Sequence, residues 1–270
     1  GCGDGSVIHS LYRSGARFYG VDRSLSRVSE QGPASLVRTL GEVPRDGAHL
    51  MIANELFDAL PFSRLVQRDE HLHELWVTER GGELDWSEHE APAPYEDYFH
   101  ARGIELADGQ FVDVSFDWEE QYGELCRFMS RGLIVVFDYG YPEKQLFDPR
   151  VRRFGTAAAY SRQRVSRDLL RDPGLQDLTA HINFTDLIRA GEQEGFRTLY
   201  FDRLAKFLLT LGAHEHESLR PAVDAETLQQ RDDARRLLLP DGIGEEIRVL
   251  VQEKNCGAEG WSFQRNLFER

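Results

Sequence analysis

Cysteine is scarce in this chain. The three present, Cys2, Cys126 and Cys256, stand far apart and form no CxxC pair. That argues against a disulfide framework or a zinc site and points to a reducing compartment. No apolar run approaches the roughly 18 residues that span a bilayer, so membrane insertion is not expected. Cations are outnumbered, with 32 Lys and Arg against 46 Asp and Glu and a net charge of -14. Tracking a phosphate backbone requires clustered Lys and Arg, so nucleic acid is not the expected partner, whereas a cationic acceptor is compatible. Internal repeats, low-complexity segments and a GxGxxG loop are also missing. So is an initiator Met: the chain opens inside a glycine loop, which in a nucleotide-binding fold follows a buried strand. The expectation is a fragment whose first strand, and any targeting segment before it, lie upstream.

What remains is ordinary globular composition, 41% hydrophobic and 29% charged over 270 residues, enough for a sizeable core. Apolar periodicity predicts helices over 6–14, 24–31, 117–131 (Asp117 as N-cap), 185–194, 203–211 and 225–239. Strands are expected over 17–21, 48–53, 133–137, 196–201 and 246–252, with a hairpin over 65–77. Residues 79–110 read as loops with one short helix near 95–101, and 141–182 as a long irregular stretch. This alternation predicts an α/β fold, a mostly parallel sheet with helices on both faces. Ligands in such sheets sit beyond the carboxyl ends of the strands, where loops 1–5, 53–61 and 138–142 would converge.

Four groups of residues carry chemistry. Gly1-x-Gly3-x-Gly5, then a helix, a strand and Asp22, suits a nucleotide-type cofactor: glycines admit the ligand and the acid accepts both ribose hydroxyls. GxGxG, rather than GxGxxG, leans towards S-adenosylmethionine (SAM) over NAD. An ordinary turn with a surface Asp is the alternative. Next, Asn54 and Glu55 leave a buried strand, and Glu55 and Asp58 are three apart, so one helical turn would place both carboxylates on one side. Such a pair can fork onto a guanidinium and take the proton a methylated nitrogen releases. Acids decorating a helix N-terminus are the plain alternative. Third, Asp138-Tyr139-Gly140 would form a Tyr-Gly turn that stacks a base or lines the acceptor pocket, or would simply pack at a strand end. Last, Asp177, Thr179 and His181 in a polar loop would form a lid over the crevice, with a structural histidine as the alternative.

Together these segments resemble the MidA-like SAM-dependent methyltransferases, a family that includes the mitochondrial complex I assembly methyltransferase and bacterial relatives. Ala53–Pro61 (ANELFDALP) is close to the family's ANEFFDALP, and Gly132–Gly140 (GLIVVFDYG) matches its glycine, apolar strand and DYG. Gly155-Thr156 with Tyr160, Asp172–Phe184 (DPGLQDLTAHINF), Lys206–Gly212 and Leu237–Lys254 match later blocks in order. Asp22 stands where the family has Glu, Gln163 where it often has His, Lys206 where Gln is common and Ile243 where Met is usual. Gln163 weakens any catalytic role for its loop.

The resemblance implies a Rossmann-like class I methyltransferase sheet forming a single domain over 1–270, with its first strand missing and substrate-region insertions at about 62–115 and 141–184. It implies SAM as cofactor and an arginine-containing protein as partner. Gly1, Gly3, Gly5, Asp22 and Asn54 would hold the cofactor, Glu55 and Asp58 would be catalytic, and Asp138, Tyr139, Asp177 and His181 would bind substrate. Nothing in the pattern calls for a metal. The bacterial-type cytoplasm is the expected location, with an organellar matrix as the alternative. Rival functions are a small-molecule methyltransferase, a non-catalytic assembly factor and, last, an NAD-dependent oxidoreductase.

Overall fold

The computed structural model describes residues 17–24, 35–45, 49–161, 164–216, 219 and 224–257. Gly1, Gly3 and Gly5, the helix expected over 6–14, residues 25–31 of the next helix and Gln163 lie outside the described residues. In chain order the strands begin β1 (Tyr19–Val21), β2 (Ser35–Val37), β3 (His49–Asn54), β4 (Ser63–Arg68), β5 (His71–Arg80) and β6 (Glu83–Glu90). Then come α1 (Ala93–Ala101), β7 (Phe111–Val114), α2 (Asp117–Phe128), β8 (Gly132–Tyr141), α3 (Glu143–Leu146) and α4 (Pro149–Arg152). Next are β9 (Ala158–Ser161), β10 (Arg164–Ser166), β11 (Asp177–Thr179), β12 (Ile182–Asn183) and α5 (Phe184–Gln193). The last are β13 (Arg197–Arg203), α6 (Leu204–Thr210), α7 (Ala225–Leu238) and β14 (Ile247–Lys254). No described helix is long and apolar enough to cross a membrane.

The chain divides into two compact units. The first comprises 1–56, 123–138 and 191–270. In it β1 pairs parallel with β2, Tyr19 opposite Ser35. β3 pairs parallel with β8 from His49↔Gly132 to Asn54↔Phe137. β14 lies between β8 and β13, antiparallel to the latter. Every residue of β14 up to Glu253 is buried, which explains why its sequence is continuous rather than alternating. Val135, Val249 and Val251 form the core with Phe207, which brings α6 onto the sheet. Each such side chain contributes about 1.5–3 kcal/mol by burial. Gly132, at φ +142°, is needed because a Cβ there would overlap the His49 carbonyl.

The second unit comprises 57–122 and 139–190. Its four-stranded sheet has the order β6-β5-β4-β7 and is antiparallel throughout. Leu65, Leu72, Val112 and Val114 pack with Tyr98 and Phe99 of α1 and with Leu146 and Phe147. A three-stranded antiparallel sheet has the order β10-β9-β11.

The fold is mixed α/β, and the two-residue loops that join β4 to β5 and β5 to β6 make the sheet of the second unit antiparallel, extending the expected hairpin. Two expectations need correction. The loops expected over 79–110 contain β6, and 141–182 contains β9 to β11. Asp117 lies inside the first turn of α2, where Ser115 Oγ accepts its N–H at 3.2 Å.

Candidate functional site

β3 ends at Asn54, and the next residue is strained. Glu55 has φ +46°, in the left-handed region, which costs a residue with a Cβ on the order of 1–3 kcal/mol. Two bonds hold it there. Glu55 donates its N–H to the Phe137 carbonyl at 2.8 Å. Leu56 donates its N–H to Asp138 Oδ2 at 3.2 Å. Asp138 is fully buried, while Glu55 is exposed. Asn54 and Glu55, at the end of β3, are therefore brought beside Asp138 in β8. Burying a carboxylate is costly unless hydrogen bonds compensate it, so the Leu56 N–H and Asp138 stabilise one another.

The helical turn expected over 55–58 does not form. No helix lies between β3 and β4, and the Leu60 N–H instead closes a turn onto the Phe57 carbonyl at 3.1 Å. The positive φ of Glu55 and the following Pro61, which disfavours helical geometry at Leu60, account for this. In the second unit Phe57 is fully buried and its carbonyl accepts Trp118 Nε1–H at 2.9 Å. Asp58 is buried beside it, and its carbonyl accepts the Ala180 N–H at 3.0 Å.

The turn expected at Asp138-Tyr139-Gly140 is also absent, because β8 runs on through Tyr141. Gly140 and Tyr141 pair parallel with Ile182 and Asn183. A Cβ on Gly140 would overlap the Ile182 carbonyl, so the glycine serves close strand approach rather than a turn. Tyr139 and Tyr141 both meet His181: Tyr139 stacks on it with centroids 6.1 Å apart, and Tyr141 is tilted at 5.6 Å. Arg152 covers Tyr141 at 3.6 Å. His181 donates its backbone N–H to Thr156 Oγ1 at 3.1 Å. Tyr139 and His181 are thus adjacent. Asp177 and Thr179, expected in a lid loop, instead belong to β11, opposite Tyr160 and Ala158.

A buried polar network was not anticipated from the sequence. Tyr98 donates its O–H to Asp186 Oδ2 at 2.6 Å. Asn183 Nδ2 donates to the same oxygen at 2.9 Å and to Tyr98 Oη at 2.8 Å. Arg102 Nη2 donates to Asp186 Oδ1 at 2.6 Å. Burial, with the Asp186 carboxylate adjacent, pushes the Tyr98 hydroxyl well above its ordinary range. The network fastens β12 to α1. Its signal was available: Asn183 directly precedes a helix and accepts the Thr185 N–H at 3.1 Å, as an N-cap does.

Asp22 stands just past β1, half-buried. Its N–H donates to the Val37 carbonyl at 3.1 Å, and its Oδ1 accepts the Ser24 N–H at 2.9 Å. The carboxylate thus closes a local turn over the residues that follow β1. Among the described residues no group of three or more His, Cys, Asp or Glu side chains is placed to hold a metal ion.

Two solved structures from Burkholderia thailandensis share the fold. One, an uncharacterized protein of the COG1565 superfamily, is 23% identical with a TM-score of 0.81, over 94% of this chain and 72% of that one. The other, a COG1565 superfamily member bound to S-adenosyl-homocysteine, is 23% identical with a TM-score of 0.77, over 88% of this chain and 64% of that one. The chain thus spans less than two thirds of the second structure's length. No curated protein matches. Residues 26–202 match a family described as "Putative S-adenosyl-L-methionine-dependent methyltransferase". The fold is that of a SAM methyltransferase, and the chain belongs to this SAM-dependent methyltransferase family.

Proposed function

We propose that the protein transfers a methyl group from SAM to a guanidinium nitrogen of an arginine side chain on another protein, as a MidA-like enzyme with a Rossmann-like class I sheet. One observation carries this reading: Glu55, a non-glycine residue in the left-handed region, has an exposed carboxylate on a backbone locked to β8. Strain of this kind persists where the surrounding structure enforces it, and it clusters at functional sites. Support comes also from the ANELFDALP block and from the fold shared with a structure that holds S-adenosyl-homocysteine.

When bound, SAM supplies an electrophilic methyl on a sulfonium. Asp22 would hold its ribose, Gly1, Gly3 and Gly5 its methionine end, and Asn54 would contact it from the end of β3. The carboxylate of Glu55 receives forked hydrogen bonds from the guanidinium and orients one nitrogen in line with the methyl. Glu55 would take the proton that the methylated nitrogen releases and pass it to solvent. Asp138 acts through the backbone, keeping Glu55 aimed. Asp58, Tyr139, Asp177 and His181, all in the second unit, would contact the acceptor protein. In this reading the chain is one catalytic domain in which 62–115 and 141–184 are insertions that select the acceptor.

The test is to incubate the protein with tritiated-methyl SAM and a bacterial lysate, then hydrolyse the protein fraction. Label recovered as methylarginine supports the reading. Label confined to small molecules, or to another amino acid, overturns it.

A further inference from the structure

The two outer edges of the four-stranded sheet are treated differently. At β7 the chain covers its own edge. Phe111 bridges to Phe154, Arg64 Nη2 donates to the Phe154 carbonyl at 2.8 Å, and the Asp113 carboxylate accepts the N–H groups of Thr156 and Ala157 at 2.6 and 2.7 Å. At the other end β6 pairs with β5 along its whole length, and among the described residues no strand pairs with its outer edge. An open edge eight residues long is a template for another extended chain.

The side chains at this edge specify the visitor. Leu84, Trp86, Glu88 and Glu90 alternate onto one face, and Glu83, Asp85, Ser87 and His89 onto the other. Carboxylates therefore lie on both faces. Apolar side chains are also left in water: Leu84 is 40% exposed, Val77, opposite Trp86, is 54% exposed, and Trp76, opposite Ser87, is 57% exposed. A second copy pairing edge to edge would bring these carboxylates against their like, so self-association is opposed. Arg68 already holds Glu88 at 2.8 Å and Arg80 lies 3.4 Å from Asp85, so a segment rich in arginine or lysine would set its charges on Glu90 on one face and Glu83 on the other, with its aliphatic stems over Trp76 and Leu84.

We propose that the outer edge of β6 is a docking strand for an extended cationic segment of a protein partner, added antiparallel or parallel as a fifth strand. This rests on the reading of the acceptor as an arginine-containing protein and adds where such a protein is held. A short segment with arginine at alternate positions supplies the required charge on one face, and small or apolar residues fit the other.

Fluorescence anisotropy of the labelled peptide Arg-Val-Arg-Thr-Arg-Val-Arg, titrated with the full chain, tests the docking. Saturable binding is expected. It should weaken at least about tenfold when alternate peptide amides are N-methylated, which blocks strand addition, and similarly in the Glu83→Lys/Glu90→Lys double variant. Unchanged SAM affinity in that variant reports that it is folded. No saturable binding, or equal binding of the N-methylated peptide, overturns the proposal while leaving methyl transfer at Glu55 untouched. Peptide that docks as expected but protein that never gains methylarginine would sustain the docking strand and sink the arginine reading instead.

Discussion

Leu56 donates its backbone N–H to the buried carboxylate of Asp138, 82 positions later in the chain, at 3.2 Å. That bond joins the residue after Glu55 to the interior of β8 and so fixes Glu55 at the end of β3. Hydrogen bonds to charged acceptors contribute about 1.5–3 kcal/mol. Asp138→Leu is expected to lose about that much in urea denaturation, because the Leu56 N–H is left unsatisfied. Asp138→Asn keeps an oxygen acceptor and should recover at least half of the loss. Equal destabilisation by both variants would contradict this role.

Glu55 makes the opposite case. Glycine adopts φ +46° without penalty, so Glu55→Gly should leave the melting temperature unchanged or raise it, by up to about 1 kcal/mol of stability. Glu55→Val, β-branched, should lower it. A wild type more stable than the glycine variant would mean that the Glu55 conformation is not strained.

Gly140 tests the strand pairing that replaces the expected turn. A Cβ there would meet the Ile182 carbonyl, which is backbone and cannot swing aside. Gly140→Ala should cost about 1–3 kcal/mol and speed amide exchange at Ile182 and Asn183. A neutral substitution with unchanged exchange would show that β8 and β12 do not pair as described.

Burial and the adjacent Asp186 carboxylate raise the Tyr98 hydroxyl well above its ordinary value near 10. A group whose folded value is raised contributes stability below its unfolded value and loses it as pH rises towards the folded one. Stability should therefore fall as pH climbs beyond about 10. Tyr98→Phe should flatten that alkaline limb while lowering stability at neutral pH through the lost bond to Asp186. An alkaline limb identical in the variant would assign it elsewhere.

Strand β8 is legible in the sequence because its apolar, β-branched run is buried, and β3 because Leu50 to Ala53 are all apolar, although only Ala53 is buried. The helices from α5 to α7 show their periodicity, and α5 and α7 their caps at Asn183 and Asp224. β6 is hidden because both faces of ELDWSEHE carry polar residues, so no alternation stands out. Its best signal was Gly81-Gly82, with φ +64° and +90°, a two-residue hairpin loop between alternating segments. The preceding loop, Asp69-Glu70, adopts positive φ without any glycine and leaves no such mark. Asp138-Tyr139-Gly140 reads as a turn because Asp and Gly favour turns, yet the glycine is present for contact with a strand 42 residues on. The i, i+3 spacing of Glu55 and Asp58 suggests a helix, but a single left-handed residue removes it. Tyr98, Arg102, Asn183 and Asp186 meet only through tertiary structure, so their partnership could not be read from spacing.

The most direct test of the central claim is a paired measurement on Glu55→Gln, which keeps the side-chain shape and removes the charge. SAM affinity is read by calorimetry, and methyl incorporation into protein arginine by radiolabel. The account predicts unchanged affinity for SAM and incorporation reduced at least about a hundredfold, the scale of a lost general base. Incorporation at the wild-type rate in Glu55→Gln would contradict it.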